Sequence, residues 1–213
     1  MNYLLLSHCF LFDESQKNKI DIFNYTINFF KEKYKNLHII VTGHGKKEYS
    51  HLINADTLIW YDYIESEFGQ GHPKCVLSGL EKAKKLGAKK ILKMRLDSFT
   101  IKEDIFNFCD NILEKENTKC LITAMTNLPE KWIGDLFMYG DIDFLIDIWD
   151  EKKWNYNLRD GMVNLYSIYK DKYSPNIRDY FSFRSNDTLK WLFVDQNDFD
   201  NLKINYNNYY QNF

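Results

Sequence analysis

Arg95 and Asp97 are the residues whose types and spacing most directly suggest chemistry. Both lie at the end of a short apolar segment, Lys90–Leu96, which predicts a buried strand. Residues two apart point to the same face of an extended chain, so both side chains can reach one crevice. The planar guanidinium of Arg95 suits a phosphate, and the carboxylate of Asp97 suits a divalent cation or a sugar hydroxyl. A structural ion pair at the strand end is the alternative interpretation.

Three other predicted strands also end in polar residues. They span Tyr3–Phe10, Leu37–Thr42 and Thr57–Tyr61. In open parallel sheets, ligands bind in the crevice beyond the carboxyl ends of the strands, so residues at these ends are candidates for substrate binding. The candidates are Ser7, His8, Thr42, His44 and Asp62, together with Lys93 on the fourth strand.

A helix predicted to begin at His72 and Pro73 offers a different kind of binding group. Pro73 suits the first turn of a helix, and Gly87 suits the position just after its end. The free N–H groups of a first turn favour a phosphate, and Lys74 adds positive charge, so His72 and Lys74 join the candidates. The glycine spacing here matches neither a Walker A loop nor a dinucleotide fingerprint. An ordinary loop and helix start is the alternative.

Asp135 lies at the start of another predicted strand, within Gly134–Gly140. A carboxylate in this position can act as a general base on a hydroxyl, and a plain turn residue is the alternative. We expect Asp141 and Asp143 to cap the helix that begins near Ile142.

The order of the predicted elements indicates the class of fold. Short apolar strands alternate with amphipathic helices such as Asp21–Tyr34, which is typical of an α/β domain with a mostly parallel central sheet flanked by helices. A length of 213 residues fits one domain. We predict that the late aromatic residues belong mostly to the core, and these are Trp149, Trp154, Tyr156 and Trp191.

Composition narrows the classes of partner. A net charge of −2 gives no general attraction to nucleic acid. The four cysteines form no CxxC pair, which argues against a disulfide framework or a zinc site and indicates reduced thiols. The apolar run Tyr3–Leu6 is too short for a signal peptide, and no segment reaches the roughly 20 apolar residues of a transmembrane helix. We therefore expect a cytoplasmic protein without a transmembrane segment, a location compatible with work beside a membrane.

Two longer segments resemble those of the WavE-type lipopolysaccharide-synthesis proteins and related small GT-A-type glycosyltransferases. In Ser78–Asp97, a helix with a Gly-Leu step precedes a strand ending Lys-x-Arg-x-Asp. In Gly134–Gly140, an Asp-hydrophobic-Gly segment is followed by an acidic helix that ends at Trp149. The strand Leu37–Thr42 is also similar, and the resemblance covers residues 1–150.

The resemblance implies a single GT-A-like, Rossmann-like domain that transfers a sugar from a nucleotide-sugar donor to a surface-glycan or lipid-linked glycan acceptor, as in lipopolysaccharide or capsule synthesis. It implies a nucleotide-binding half in residues 1–100 and an acceptor half in residues 101–213. Asp97 then stands at the last acid of the metal-binding Asp-x-Asp motif and would hold Mn²⁺ or Mg²⁺. Asp62 would recognise the base, and Asp135 would be the catalytic base.

One residue departs from the GT-A pattern, because Arg95 replaces the first acid of the Asp-x-Asp motif. Metal dependence is therefore open, since Arg95 can itself neutralise a leaving diphosphate as a catalytic residue. A degenerate transferase that binds a glycan or acts as a scaffold is the alternative. A sugar nucleotidyltransferase ranks lower, because Ser7–Asp13 lacks the glycine- and arginine-rich loop that usually follows the first strand of such enzymes.

Overall fold

Seven strands of the computed structural model form one central sheet. The residues that the structure describes are 1–11, 18–62, 71–95, 98–123, 133–157 and 161–193. The strands of the sheet are β1 (Asn2–Leu11), β2 (Leu37–Gly45), β3 (Thr57–Tyr61), β4 (Lys90–Arg95), β6 (Cys120–Thr123), β7 (Phe137–Asp141) and β8 (Phe181–Arg184). Two further strands, β5 (Ser98–Thr100) and β9 (Trp191–Phe193), pair antiparallel in a small second sheet.

The strand order of the central sheet is β3-β2-β1-β4-β7-β6-β8. All pairings are parallel except the two that β7 makes with β4 and β6. The prediction of one α/β domain with a mostly parallel sheet is therefore confirmed. The chain builds outward from β1 to β3 on one side and places β4 on the other side, so the order of the strands reverses between β1 and β4.

Helices cover both faces of the sheet, which is why its strands read as nearly continuous apolar runs. They are α1 (Asn18–Lys33), α2 (Lys47–Ser50), α3 (Gly71–Lys85), α4 (Ile105–Glu116), α5 (Ile142–Ile148), α6 (Gly161–Lys172) and α7 (Asn186–Leu189). Short 3₁₀ helices follow at Glu151–Lys153 and Ile177–Asp179. Among the described residues, no helix is long and apolar enough to span a bilayer.

Alternate side chains of each strand belong to two separate cores. Leu4 and Leu6 of β1 pack with α1 and α4, whereas Leu5 packs on the opposite face with α3, α5 and α6. In β4, Ile91 belongs to this second core, and Lys93, two residues later, points to the same face. The side chain of Lys93 thus lies on the face of the sheet that α3 and α5 cover.

Gly79 brings α3 into close contact with the sheet. A methyl group at this position would lie 2.4 Å from a side-chain carbon of Leu5 and 3.0 Å from one of Thr42. Gly87, with φ of +93°, ends the same helix in a left-handed conformation, as predicted. These two glycines fix where α3 lies and therefore where its first turn meets the sheet edge.

Several predicted boundaries need correction. β2 continues to Gly45, so His44 lies within the strand instead of after its end, and Thr42 and His44 are both buried. α4 begins at Ile105, directly after Asp104, which adopts a left-handed conformation with φ of +56°. β5 and β8 were not predicted, since three or four residues carry too little periodicity to identify a strand.

Candidate active site

The topology brings polar residues from distant parts of the sequence to one edge of the sheet. β1 to β4 are parallel and end at this edge, and the antiparallel β7 begins there, since Phe137 pairs with Met94. Asp135, two residues before β7, is therefore next to the end of β4 and its terminal residue Arg95. The first turn of α3 also meets this edge.

Ser7 and Arg95 mark the point where the strand order reverses. They are paired across β1 and β4, at the position where open α/β sheets bind their ligands. The buried hydroxyl of Ser7 donates to the backbone oxygen of Met94 at 3.4 Å. Arg95 is only partly buried at the end of its strand. Its guanidinium can thus serve as the positive charge at the mouth of the crevice.

Lys93 lies beneath this position and is fully buried. Its ammonium donates a hydrogen bond to the backbone oxygen of Asp135 and lies 4.8 Å from the ring centroid of Trp149. Burial lowers the pKa of Lys93 to about 8, with the charge of Asp135 acting to raise it and that of Arg95 to lower it. The Lys93 ammonium therefore faces the interior of the protein and contacts the backbone of Asp135.

His72 and Asp135 form the second contact of the site. Nε2 of His72 is 3.5 Å from Oδ2 of Asp135, and the two side chains are 17% and 12% exposed. Burial, together with the charges of Lys93 and Arg95, holds the pKa of His72 well below its ordinary value of 6.5. At neutral pH the imidazole is therefore uncharged, and beside it stands a carboxylate with a small exposed surface.

Two tryptophan rings pack beside the His72–Asp135 pair. Trp149 packs edge-on against His72 with ring centroids 5.0 Å apart and stacks on Trp154 at 5.5 Å. Both tryptophans are buried, in agreement with the prediction that the late aromatic residues belong mostly to the core. Their contact with His72 and Lys93 was not predicted, because nothing in the sequence links them.

Gly161, the first residue of α6, is a part of the site that sequence reasoning missed. A methyl group built on it would lie 3.8 Å from Nδ1 of His72, 3.9 Å from Oδ2 of Asp135 and 3.6 Å from the indole of Trp154. Gly161 thus faces the polar edge of the His72–Asp135 pair. Nothing in the sequence around Gly161 indicates that it lies beside His72 and Asp135.

The remaining predicted residues lie in three environments. Asp62 is exposed directly after β3, and Lys74 of α3 lies 4.8 Å from the ring centroid of Tyr61 at the end of that strand. Tyr61 and Lys74 line a cavity of about 280 Å³ between α3 and α5. Thr42 and His44 are buried within β2, and burial lowers the pKa of His44. Asp97 and the side chain of His8 fall outside the described residues.

The charges of the site bear on the predicted divalent cation. Within the described ranges, no three histidine, cysteine or acidic side chains come together to hold a metal ion. Asp135 stands beside two cationic residues, Lys93 and Arg95, which act against a further positive ion at this position. The described residues therefore do not fit a divalent cation, and the predicted ligand Asp97 lies outside them.

Comparison with known proteins reveals the fold. No protein-family model and no curated protein sequence matches the chain. Several solved structures do match it. A 4-diphosphocytidyl-2C-methyl-D-erythritol synthase from Anaerococcus prevotii has a TM-score of 0.51 and 11% identity, with 92% of each chain covered. A cytidylyltransferase from Leptospira borgpetersenii has a TM-score of 0.51 and 10% identity, with 87% of this chain and 75% of that chain covered.

A nucleoside-diphosphate-sugar pyrophosphorylase from Vibrio cholerae is similar to the same extent. Its TM-score is 0.50 at 12% identity, with 94% of this chain and 99% of that chain covered. At such identities the likeness is one of fold. The segment after the first strand had ranked a sugar nucleotidyltransferase below a glycosyltransferase. The shared fold does not support that ranking, because the similar structures include nucleotidyltransferases. The resemblance to WavE-type proteins stays a prediction.

Proposed function

We propose that the protein is a glycosyltransferase that moves a sugar from a nucleotide-sugar donor to a hydroxyl of a surface-glycan acceptor. The observation that carries the proposal is the His72–Asp135 pair, a carboxylate and a neutral imidazole 3.5 Å apart at the ligand-binding edge of the sheet. A neutral hydroxyl is a weak nucleophile and needs a base to take its proton as it attacks. This pair is well placed to provide one.

The donor belongs at the end of β1 and β4. There Arg95 supplies a fixed positive charge, and the first turn of α3 supplies N–H groups that favour a phosphate. We assign residues 1–100 to the donor half, with Asp62 and Lys74 near the base and ribose, and residues 101–213 to the acceptor half. Asp135 enters from the acceptor half, so both halves meet at this edge.

The reaction exchanges one bond at the anomeric carbon of the donor sugar. The acceptor oxygen forms a bond to this carbon while the bond to the leaving phosphate oxygen breaks, and the leaving group keeps the electron pair. Arg95 stabilises the negative charge that develops on the phosphate. The acceptor proton passes to the His72–Asp135 pair. No step in this scheme uses a metal ion.

A sugar nucleotidyltransferase is the second candidate, because the similar solved structures include a cytidylyltransferase and a pyrophosphorylase. In that reaction a sugar phosphate would attack a nucleoside triphosphate and release pyrophosphate. A phosphate nucleophile is already an anion, so nucleotidyl transfer needs no general base and leaves Asp135 without a role. For that reason we prefer glycosyl transfer.

Thermal unfolding in the presence of UDP-, GDP-, CDP- and CMP-sugars, with and without manganese, tests the donor site. A ligand that binds only the folded state must raise its stability, by about 3 kcal/mol at a hundredfold excess over the dissociation constant. We expect at least one donor to raise the melting temperature without manganese, and Arg95→Gln to reduce this shift. Arg178→Gln, on the exposed opposite edge of the sheet, is the matched control.

The outcomes of this panel separate the candidate functions. A shift that appears only with manganese would support Asp97 as a metal ligand and contradict the metal-free scheme. Stabilisation by nucleoside triphosphates alone would favour nucleotidyl transfer. A silent panel would favour a glycan-binding or scaffold protein and would contradict the transferase proposal.

A further inference from the structure

We propose that Lys93 is a positioning residue of the site, which acts on the His72–Asp135 pair from the interior of the protein and not by contact with substrate. Lys93 was a candidate for substrate binding, and its side chain is fully buried. The inference rests on the proposed function, because the pair that Lys93 positions is the proton acceptor of that reaction.

The ammonium of Lys93 contacts groups that lie far apart in the sequence. It donates a hydrogen bond to the backbone oxygen of Asp135, which ties β4 to the segment that precedes β7. It also lies 4.8 Å from the ring centroid of Trp149, the residue that directly follows α5. Trp149 in turn packs edge-on against His72, with ring centroids 5.0 Å apart. One buried cation therefore contacts the backbone of one member of the pair and the ring that packs against the other.

Packing alone does not explain a lysine at this position. An ammonium loses its hydration when it is buried, and a well-packed apolar side chain of similar volume is often at least as stable in the same place. Burial accordingly lowers the pKa of Lys93 to about 8, so at neutral pH the group is still largely charged. What an apolar residue could not supply is a positive charge behind the pair.

The charge of Lys93 acts on the protonation of His72. A nearby cation disfavours the protonated form of an imidazole. Burial, followed by the charges of Lys93 and Arg95, holds the pKa of His72 well below its usual range. In the described part of the chain, the charged groups next to His72 are Lys93 and Arg95 on β4 and Asp135 before β7. Lys93 thereby helps to keep His72 neutral, the form in which a ring nitrogen can accept a proton.

Three substitutions separate this role from packing. Lys93→Met removes the charge and the hydrogen bond but keeps most of the buried volume, so we expect the variant to fold. Lys93→Arg keeps a cation and hydrogen-bond donors at the same position. Lys90→Met is the matched control in the same strand, because Lys90 lies at its other end and pairs with Asp110 at 2.6 Å.

NMR of the full-length protein with labelled histidine follows the imidazole of His72, assigned with His72→Asn, between about pH 5 and pH 9. We expect His72 to take up its proton at a higher pH in Lys93→Met than in the wild type, Lys93→Arg or Lys90→Met. The wild type offers a second measurement, which needs no variant at position 93. Loss of the Lys93 proton near pH 8 should shift the His72 signals in a further step, absent from Lys93→Met.

In the transfer assay, we expect Lys93→Met to lose at least about tenfold in kcat, while it keeps the acceptor KM and the donor-induced rise in melting temperature. Lys93→Arg should recover part of this loss. Equal His72 titrations in wild type and Lys93→Met, no titration of His72 in either, or an unchanged kcat would overturn the proposal. A His72 titration that moves in Lys93→Met, without any transfer by the wild type, would overturn the proposed function and leave the action of Lys93 on the pair standing.

Discussion

At the scale of single residues, the site is defined by a buried balance of charge. Lys93 brings a cationic group to the second core, Arg95 brings a positive charge to the end of the same strand, and Asp135 brings one carboxylate beside them. His72 stays neutral under their influence, because burial and both cations lower its pKa. The result is a neutral imidazole held beside the side chain of Asp135.

Lys93→Met tests this charge balance through the pH dependence of stability. The unfolded chain keeps the Lys93 proton up to about pH 10.5, whereas the folded protein releases it near pH 8. Between these values the unfolded state binds more protons, so the Lys93 contribution makes stability rise with pH. The unfolding free energy of the wild type, relative to Lys93→Met, should rise by about 2 kcal/mol from pH 7 to pH 10.

Urea unfolding of the wild type and Lys93→Met from pH 7 to pH 10 measures the difference between their unfolding free energies. The titrations of the other cysteines, tyrosines and lysines are common to both proteins and cancel in this difference. Lys90→Met provides the control, because Lys90 is partly exposed and pairs with Asp110 at 2.6 Å. A constant difference between wild type and Lys93→Met would show that Lys93 is not titrated near pH 8.

Sequence alone could identify some of these residues but not their contacts. Arg95 was found because it ends a buried strand, and Asp135 because it precedes one. The partnership of Asp135 with His72 depends on where α3 begins relative to β7, which no local pattern specifies. Lys93 was predicted to bind substrate, and its burial beneath Asp135 follows from the face of β4 on which it lies.

At the scale of elements, α5 carries one wall of the site, since Trp149 directly follows it. Its first turn is capped by Asp141, whose side chain accepts a hydrogen bond from the backbone N–H of Phe144 at 3.0 Å. This cap was predicted from the sequence and is confirmed. Asp143, predicted to share the role, instead forms an exposed ion pair with Lys84.

Asp141→Ala should therefore lower the unfolding free energy by about 1 kcal/mol, because one N–H of the first turn loses its acceptor. The matched control is Asp143→Ala, two residues later in the same helix, where an exposed pair contributes little. Chemical unfolding of the two variants measures the comparison. Equal effects of the two substitutions would contradict the assignment of Asp141 as the cap.

Short elements show where the spacing of apolar residues no longer predicts secondary structure. β1 to β4, α1 and α3 were predicted because apolar spacing persists over whole elements. β5 and β9 pair only with each other, over three residues, and this pairing depends on contacts between distant parts of the chain. β8 is similarly short, and its place beside β6 becomes apparent only in the assembled sheet.

At the scale of the whole molecule, the antiparallel β7 is the feature that completes the site. A parallel strand at this position would end at the carboxyl edge, whereas β7 begins there and delivers the preceding Asp135 to the end of β4. The fold thereby brings a carboxylate from the second half of the chain to the ends of β1 and β4. Because nucleotidyltransferases share this fold, the fold does not distinguish between the two reactions, and only the residues of the site can.

The most direct test of the proposed glycosyl transfer is to identify the products formed by the purified protein. One reaction contains nucleotide sugars with glycan acceptors, and the other contains nucleoside triphosphates with sugar 1-phosphates. We predict nucleotide release and an extended glycan in the first reaction, both abolished in Asp135→Asn while donor binding persists. Pyrophosphate and a new nucleotide sugar in the second reaction, with no extended glycan in the first, would contradict it.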